Sequence, residues 1–253
     1  MTGAWHLLTE EVARWHDAGR QVEFWWRDDD AAKPNPALER LLKLSADFGI
    51  PAALAVVPAG AEAAMLAQFG EGVSVLQHGT DHVNRAGPGE KKTEFSAAEP
   101  VAAALARLAF WRARLEVQAG ARFVPALAPP WNRIPAPLIA GLATAGFAGL
   151  SQYGIRTRAE PAPGLRQVNT HVDLIAWKGG RGFIGEEEAL RAALRHLAAR
   201  RIRAADGDEA TGWLTHHALH DRPAWDFLKR LFETTRALPG VAWRRAEELF
   251  HVP

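Results

Sequence analysis

Apolar residues along this chain come in short runs separated by longer stretches of helical spacing. Val22, Phe24, Trp25 and Trp26 form a run of strand length, and residues 37–48 follow with Leu38, Leu41, Leu42 and Leu44 on one helical face before Gly49 ends it. Residues 51–57 read as a strand, 61–69 as a helix and 73–77 as a strand. That order indicates parallel βαβ units. An opening helix is expected over residues 9–18. Further helices are expected over 97–119, 136–145, 186–200 and 223–238, and strands over 123–127, 149–152, 168–172, 212–215 and 241–243. Residues 156–167, rich in Pro, Gly and Arg, read as a loop. The helix over 186–200 opens on acids and closes on arginines, as the helix dipole favours. No repeat or linker interrupts the alternation, so one (β/α) barrel domain over residues 1–253 is the expected organisation.

Polar clusters follow five of these strands. They are Asp28 to Asp30, His78 to His82, Pro129 to Arg133, Asp173 to Trp177 and His216 to His220. The strands of a parallel barrel all end on one face, where active sites are built, so five clusters there form a joint signal. Three adjacent carboxylates repel one another unless a cation neutralises some of them. A metal ion is the usual neutraliser, and a carboxylate left over is a natural base. His78 and His82 lie four apart and can share one ion; an aspartate as third ligand leaves open positions for water and substrate, a catalytic pattern. Of His216 and His217, one faces the barrel mouth and could act as a general acid, and Asp173 could orient it.

Composition narrows the partners. Lys and Arg number 30 against 29 acids, for a net charge of +1, and no basic block suggests nucleic acid or an anionic membrane. There is no cysteine, so any metal must be held by His, Asp or Glu. No apolar segment is of membrane-spanning length and no signal peptide is visible at the N-terminus, so a cytoplasmic location is expected. Ten Trp against one Tyr offer core residues and stacking surfaces for a sugar ring.

The motifs, in this order, resemble those of the polysaccharide deacetylase family, metal-dependent carbohydrate de-acetylases with a deformed, seven-stranded (β/α) barrel. The resemblance runs from about Val22 to Asp221. Arg27-Asp28-Asp29-Asp30-Ala31 looks like the motif that supplies base and metal ligand, and His78 to His82 like the motif that supplies two ligand histidines. Ala128-Pro129-Pro130-Trp131 resembles the groove-lining motif, Asp173 with Trp177 the fourth, and Leu214-Thr215-His216 the motif that carries the acid. The resemblance implies Asp29 as base, His216 as acid tuned by Asp173, and Asp30, His78 and His82 as metal ligands. The other register uses Asp28 as base, and His217 is the alternative acid. Pro130, Trp131, Asn132, Arg133, Trp177 and Arg27 would line or support the substrate site. Zinc suits the ligand types, with cobalt, nickel, manganese and iron as alternatives.

The implied activity is removal of an acetyl group from an N-acetylated, or less expectedly O-acetylated, carbohydrate. Hydrolysis of a non-sugar amide and a non-catalytic carbohydrate-binding role are the alternatives. Two departures mark a divergent branch. Gly79 stands where the family has Ser or Thr, and Ala128 stands where it has the arginine that orients the base. Arg27 and Arg133 are the candidates to replace that arginine in space.

Overall fold

A computed structural model of the chain describes residues 3–251. The elements are α1 (Gly3–Asp17), β1 (Val22–Ala31), α2 (Pro36–Phe48), β2 (Ala52–Val56), α3 (Ala63–Leu66), β3 (Val73–His78), α4 (Val101–Ala119), β4 (Phe123–Ala128) and α5 (Ala136–Gly141). They continue with β5 (Gly149–Leu150), β6 (Arg166–Gln167), β7 (Val172–Asp173), α6 (Glu186–Arg201), β8 (Thr211–Thr215), α7 (Arg222–Arg236), β9 (Val241–Trp243) and α8 (Ala246–Leu249). The strands form one sheet in the order β6-β5-β4-β3-β2-β1-β8-β7, with β9 beside the start of β1. Every strand pair is parallel.

The sheet closes through residues 166–173. One end of this segment, β6, pairs with β5, and the other, β7, pairs with β8. Between them Thr170 bridges to Tyr153, the Thr170 amide donates to Gln152 O at 2.9 Å, and the His171 amide donates to Gly212 O at 2.7 Å. β6 and β7 are therefore two ends of one bent stave, and the barrel has the seven staves expected, with β9 in addition. The continuous strand expected over 168–172 is broken at Asn169, whose side chain accepts from the Gln152 amide and donates to Gly154 O. The loop expected over 156–167 ends in β6, and the helix expected over 61–69 shortens to α3 behind a 3-10 turn at Pro58–Gly60. Among the described residues no helix is long and apolar enough to cross a membrane.

Side-chain alternation along β1 organises both layers. Val22, Phe24 and Trp26 face the helices and join the larger core, with Phe232 of α7 5.0 Å from Trp26 between ring centres. Trp25 points the other way, into the barrel, among small residues such as Ala53, Ala55, Ala126 and Ala128. Phe250, just after α8, plugs the barrel from the end where the strands begin and meets Trp25 edge-on at 6.1 Å. Two glycines are required by this crowding. A Cβ on Gly212 would lie 2.4 Å from Trp25 Nε1, and one on Gly149 would lie 2.5 Å from Phe250. Phe250→Ala is expected to destabilise the protein by about 3–5 kcal/mol in denaturant unfolding, the range for emptying an aromatic core position. A loss under about 1 kcal/mol would show that the plug is dispensable.

Candidate active site

The three aspartates at the end of β1 occupy three environments. Asp28 continues the face of Phe24 and Trp26 and is fully buried towards the helices. Its carboxylate accepts from Thr215 Oγ1 at 2.6 Å, from the His217 amide at 2.9 Å and from His217 Nδ1 at 2.5 Å. Trp26 Nε1 donates to the same Thr215 hydroxyl at 2.7 Å, and the far nitrogen of His217 meets Asn35 Nδ2 at 3.3 Å. Asn35 also caps α2, accepting from the Leu38 amide at 2.9 Å. Burial opposes charge on both members of the pair. Each partner nevertheless outweighs it, holding the Asp28 carboxyl below its ordinary range and the His217 imidazole above its own. Asp28 and His217, the alternative base and acid, thus face each other behind the sheet and do not line the groove.

Asp29 points to the barrel side with Arg27. The guanidinium spans its carboxylate, Nε to Oδ1 at 2.9 Å and one terminal nitrogen to Oδ2 at 3.0 Å. Arg27 is fully buried, and its remaining donors reach Ser151 Oγ at 2.6 Å, Ser151 O at 3.0 Å and Asn132 Oδ1 at 2.6 Å. The four hydrogen bonds come from the two terminal nitrogens, and Nε adds an ion-pair contact, so the buried guanidinium restricts the orientation of its carboxylate partner. Of the two candidates to replace an arginine at Ala128, Arg27 is the one that meets Asp29. Arg133 instead donates to Lys92 O at 2.7 Å.

Strict alternation would send Asp30 behind the sheet. The register of β1 against β2 slips between Asp28 and Ala31, and Asp30 takes a left-handed backbone with φ 72°. This bulge turns a second adjacent carboxylate towards the barrel mouth. There Asp30 Oδ1 meets His78 Nε2 at 3.2 Å and His82 Nε2 at 3.1 Å. Burial opposes ionisation of Asp30, but the two imidazoles outweigh it and keep the carboxyl below its usual range. The donor atoms of the three residues lie within 4.8 Å of one another. His78 Nδ1 lies 2.9 Å from Ala128 O, a pure acceptor. Nδ1 must carry the proton, and Nε2 presents its lone pair to the cluster. The donor set and the His78 tautomer fit a divalent cation.

The turn that carries these histidines rests on residues without a sequence signal. Gly79 has φ +58°, and a Cβ there would lie 2.0 Å from Glu94 Oε2 and 2.6 Å from Pro130. The packing explains why Ser or Thr is absent at this position. Glu94 is fully buried and accepts from the Thr80 amide at 2.8 Å and from the Thr80 hydroxyl. Arg107 of α4 donates to Glu94 at 2.9 Å and to the Thr80 hydroxyl at 2.5 Å. Glu94 lies in a polar loop and Arg107 on a long helix, and neither position looks special in the sequence.

A groove of about 890 Å³ runs past the cluster. Asp29, Asp30, His78, His82, Trp131, Asn132, Arg133, Asp173, Trp177 and His216 all line it. Pro130 and Arg27, also expected near substrate, lie buried beneath it. Trp131 has a left-handed φ of 56° and stacks 4.5 Å from His82, ring centre to ring centre. The Asn132 and Arg133 amides bond within the turn, to Pro129 O and Pro130 O. On the opposite wall Asp173 accepts from Trp177 Nε1 at 2.7 Å and from the Ile175 amide at 3.0 Å. Burial raises the Asp173 carboxyl above its ordinary value despite these donors and nearby His216. His216 Nδ1 is 4.0 Å from Asp173 Oδ1, an ion-pair separation rather than a hydrogen bond, and Trp177 stands edge-on to the His216 ring at 4.8 Å.

A second His/Glu cluster, His171, His196 and Glu209, is buried near the start of β8. Its chemistry differs. His171 Nδ1 accepts from the Gly212 amide at 3.0 Å, which places the proton of the neutral ring on Nε2, 3.4 Å from Glu209. The His171 and His196 rings stack at 3.4 Å with planes 13° apart, so their in-plane lone pairs run alongside each other instead of converging. Burial pushes His196 down to about 2. This cluster is a neutral imidazole pair around a buried carboxylate and does not fit a metal.

The Asp28–His217 pair predicts a measurable coupling. Asp28→Ala should lower stability by about 3–5 kcal/mol, the range for breaking a buried pair. In a double-mutant cycle with His217→Ala, the coupling in urea unfolding should exceed about 1 kcal/mol, and additive losses would refute the pairing.

No protein-family model matches this chain, and no curated protein matches it. Solved structures do. A Mycobacterium smegmatis protein assigned as a polysaccharide deacetylase is similar with a TM-score of 0.65 at 14% identity, over 92% of this chain and 90% of that one. The Bc1960 peptidoglycan N-acetylglucosamine deacetylase gives a TM-score of 0.60 at 14% identity, over 92% of this chain and 90% of its own. A family 4 acetyl xylan esterase from Clostridium thermocellum, solved with a cobalt ion, gives 0.50 at 13% identity over 91% of each chain. Identities this low establish a shared fold: the chain carries the deformed parallel barrel of the carbohydrate deacetylases in a form far diverged in sequence.

Proposed function

We propose that this chain is a metal-dependent deacetylase that hydrolyses the acetamide of an N-acetylated carbohydrate. The observation that carries the reading is the meeting, at one barrel mouth, of a His78–His82–Asp30 donor set with a second carboxylate, Asp29, clamped by Arg27. Asp30, His78 and His82 would hold the cation, zinc by ligand type. Such an ion, when bound, polarises a carbonyl and makes water more acidic. The cobalt ion of the C. thermocellum esterase, and the N-acetylglucosamine specificity in the name of the Bc1960 enzyme, support the reading by analogy of fold.

The residues of the chain supply the proton transfers. Asp29, held open to the groove by Arg27, takes a proton from the attacking water as its oxygen bonds to the acetyl carbon. The Trp131 amide, in the turn whose indole stacks on His82, would be the donor to the tetrahedral oxyanion; Pro130 has no N–H to offer. His216 gives a proton to the sugar nitrogen as the C–N bond breaks, with Asp173 Oδ1 4.0 Å from its Nδ1. Trp131 and Trp177 offer aromatic faces to the sugar or its acetyl group. The products are acetate and a free amine. The buried Arg27–Asp29 pair weighs against a non-catalytic role, because the orienting cation missing at Ala128 is supplied from β1.

Asp29→Asn and His216→Ala should each retain metal and lower kcat for acetate release by about 10²–10⁴. Unchanged kcat in either would remove that residue from the mechanism. Elemental analysis should give one ion per chain, lost in His78→Ala and His82→Ala and kept in His171→Ala. Two ions per chain, or loss in the last variant, would overturn the tautomer argument.

A further inference from the structure

The acids that line the groove are all engaged. Asp29 is held by Arg27, Asp30 meets His78 and His82, Asp173 accepts from Trp177, and Glu188 pairs with Arg195 at 2.9 Å. Of the four cations that line it, Arg195 takes Glu188, and the other three have no carboxylate partner among the described residues. Lys92 and Arg181 line the groove, are exposed, and make no side-chain hydrogen bond or ion pair among the described residues. Arg133 makes one hydrogen bond, to the Lys92 carbonyl, and has no carboxylate partner.

The three cations also have a defined arrangement. Lys92 and Arg133 are tied together by their hydrogen bond and belong to the wall that carries Trp131. Arg181 belongs to the segment that carries Trp177, whose fold is set by the Arg181 amide donating to Ala176 O at 3.2 Å. Each aromatic wall thus has unpaired positive charge beside it. Cations without a carboxylate partner beside a ligand groove favour ligands of the opposite sign. An arginine without a protein carboxylate is suited to a planar carboxylate or a phosphate on the ligand. At about 890 Å³ the groove is near the upper end of ligand sites, about 300–1,000 Å³, and has room beyond the sugar being cleaved.

We propose that the substrate is an acidic glycan, in which a carboxylate or phosphate group lies next to the N-acetylated sugar and is held by Lys92 with Arg133 or by Arg181. The inference rests on the deacetylase reading, but binding tests it separately from turnover. The probes are a neutral N-acetylglucosamine tetramer, the same tetramer carrying C6 carboxylates, and one carrying C6 phosphates. Affinity is measured by calorimetry on metal-loaded His216→Ala, with Asp29→Asn as a second inactive background should the first fold poorly. An acidic tetramer should bind at least about tenfold more tightly than the neutral one, since several exposed pairs act together. Its advantage should fall as salt rises. Lys92→Ala, Arg133→Ala and Arg181→Ala should weaken acidic binding by roughly two- to fivefold for each residue engaged, and Lys92→Ala and Arg181→Ala should leave neutral binding unchanged. Whichever acidic tetramer binds more tightly identifies the anion. Equal affinity for all three probes, or equal losses on neutral and acidic probes in the variants, would overturn the proposal. Acidic binding without acetate release by the wild-type protein would sustain the anion site and sink the deacetylase reading.

Discussion

Three consecutive carboxylates at the end of a buried strand must be kept apart, and the site depends on how this is done. Two like charges about 4 Å apart repel by about 4 kcal/mol at an effective dielectric near 20, comparable to a large part of a domain's stability. Strand alternation separates Asp28 from Asp29 by placing them on opposite faces of the sheet. The bulge then returns Asp30 to the mouth, at the expense of a left-handed backbone at a non-glycine residue. Each carboxylate meets its own partner: His217 for Asp28, Arg27 for Asp29, and the His78/His82 pair for Asp30. The arrangement also joins elements. Asp28 ties β1 to the turn after β8 that carries His216, while Arg27 ties it to Ser151 and Asn132 on the far side of the barrel.

Much of this was legible in the sequence, for a definite reason. Strands of a parallel barrel end on one face, so polar residues after apolar runs collect there whatever the details of the helices. That rule alone groups Asp29, Asp30, His78, Asp173 and His216, all of which line one groove. Where the rule says nothing about local backbone, the reading was open. The choice between Asp28/Asp29 and Asp29/Asp30 depends on a bulge, and nothing in three identical residues announces where a bulge falls. The choice between His216 and His217 depends on which of them meets Asp28. Residues 168–172 read as a strand because they alternate suitably, yet Asn169 bends them with its own side-chain hydrogen bonds. Glu94 was invisible because burial of a single acid in a polar loop depends on Arg107, which reaches it from α4.

The two His/carboxylate clusters show why proximity is a poor guide to metal binding. Both bring two imidazoles and one carboxylate within a few ångströms. They differ in the partner of the remote ring nitrogen. A carbonyl behind His78 fixes the proton at Nδ1 and leaves Nε2 as a donor to a metal. An amide behind His171 takes the Nδ1 lone pair and leaves Nε2 with the proton. The backbone, by offering a C=O in one place and an N–H in the other, decides which cluster can bind an ion.

The placing of Asp29 and its cation on one strand has a structural consequence. At Ala128 an arginine would enter from the strand beside His78, whose Nδ1 bonds to the Ala128 carbonyl. With alanine there, this part of the barrel holds only a small apolar side chain, and Arg27 reaches across to the far wall from the base's own strand. Arg27 and Asp29, two apart on β1, necessarily point to the same face, so their pairing is set by strand geometry rather than by the approach of a separate loop. Asp29 and its cation are therefore placed together, and Asn132, which accepts from the same guanidinium, brings the Trp131 turn into register with them. A single buried guanidinium thus aligns the carboxylate that would take the proton and the turn whose amide would meet the oxyanion.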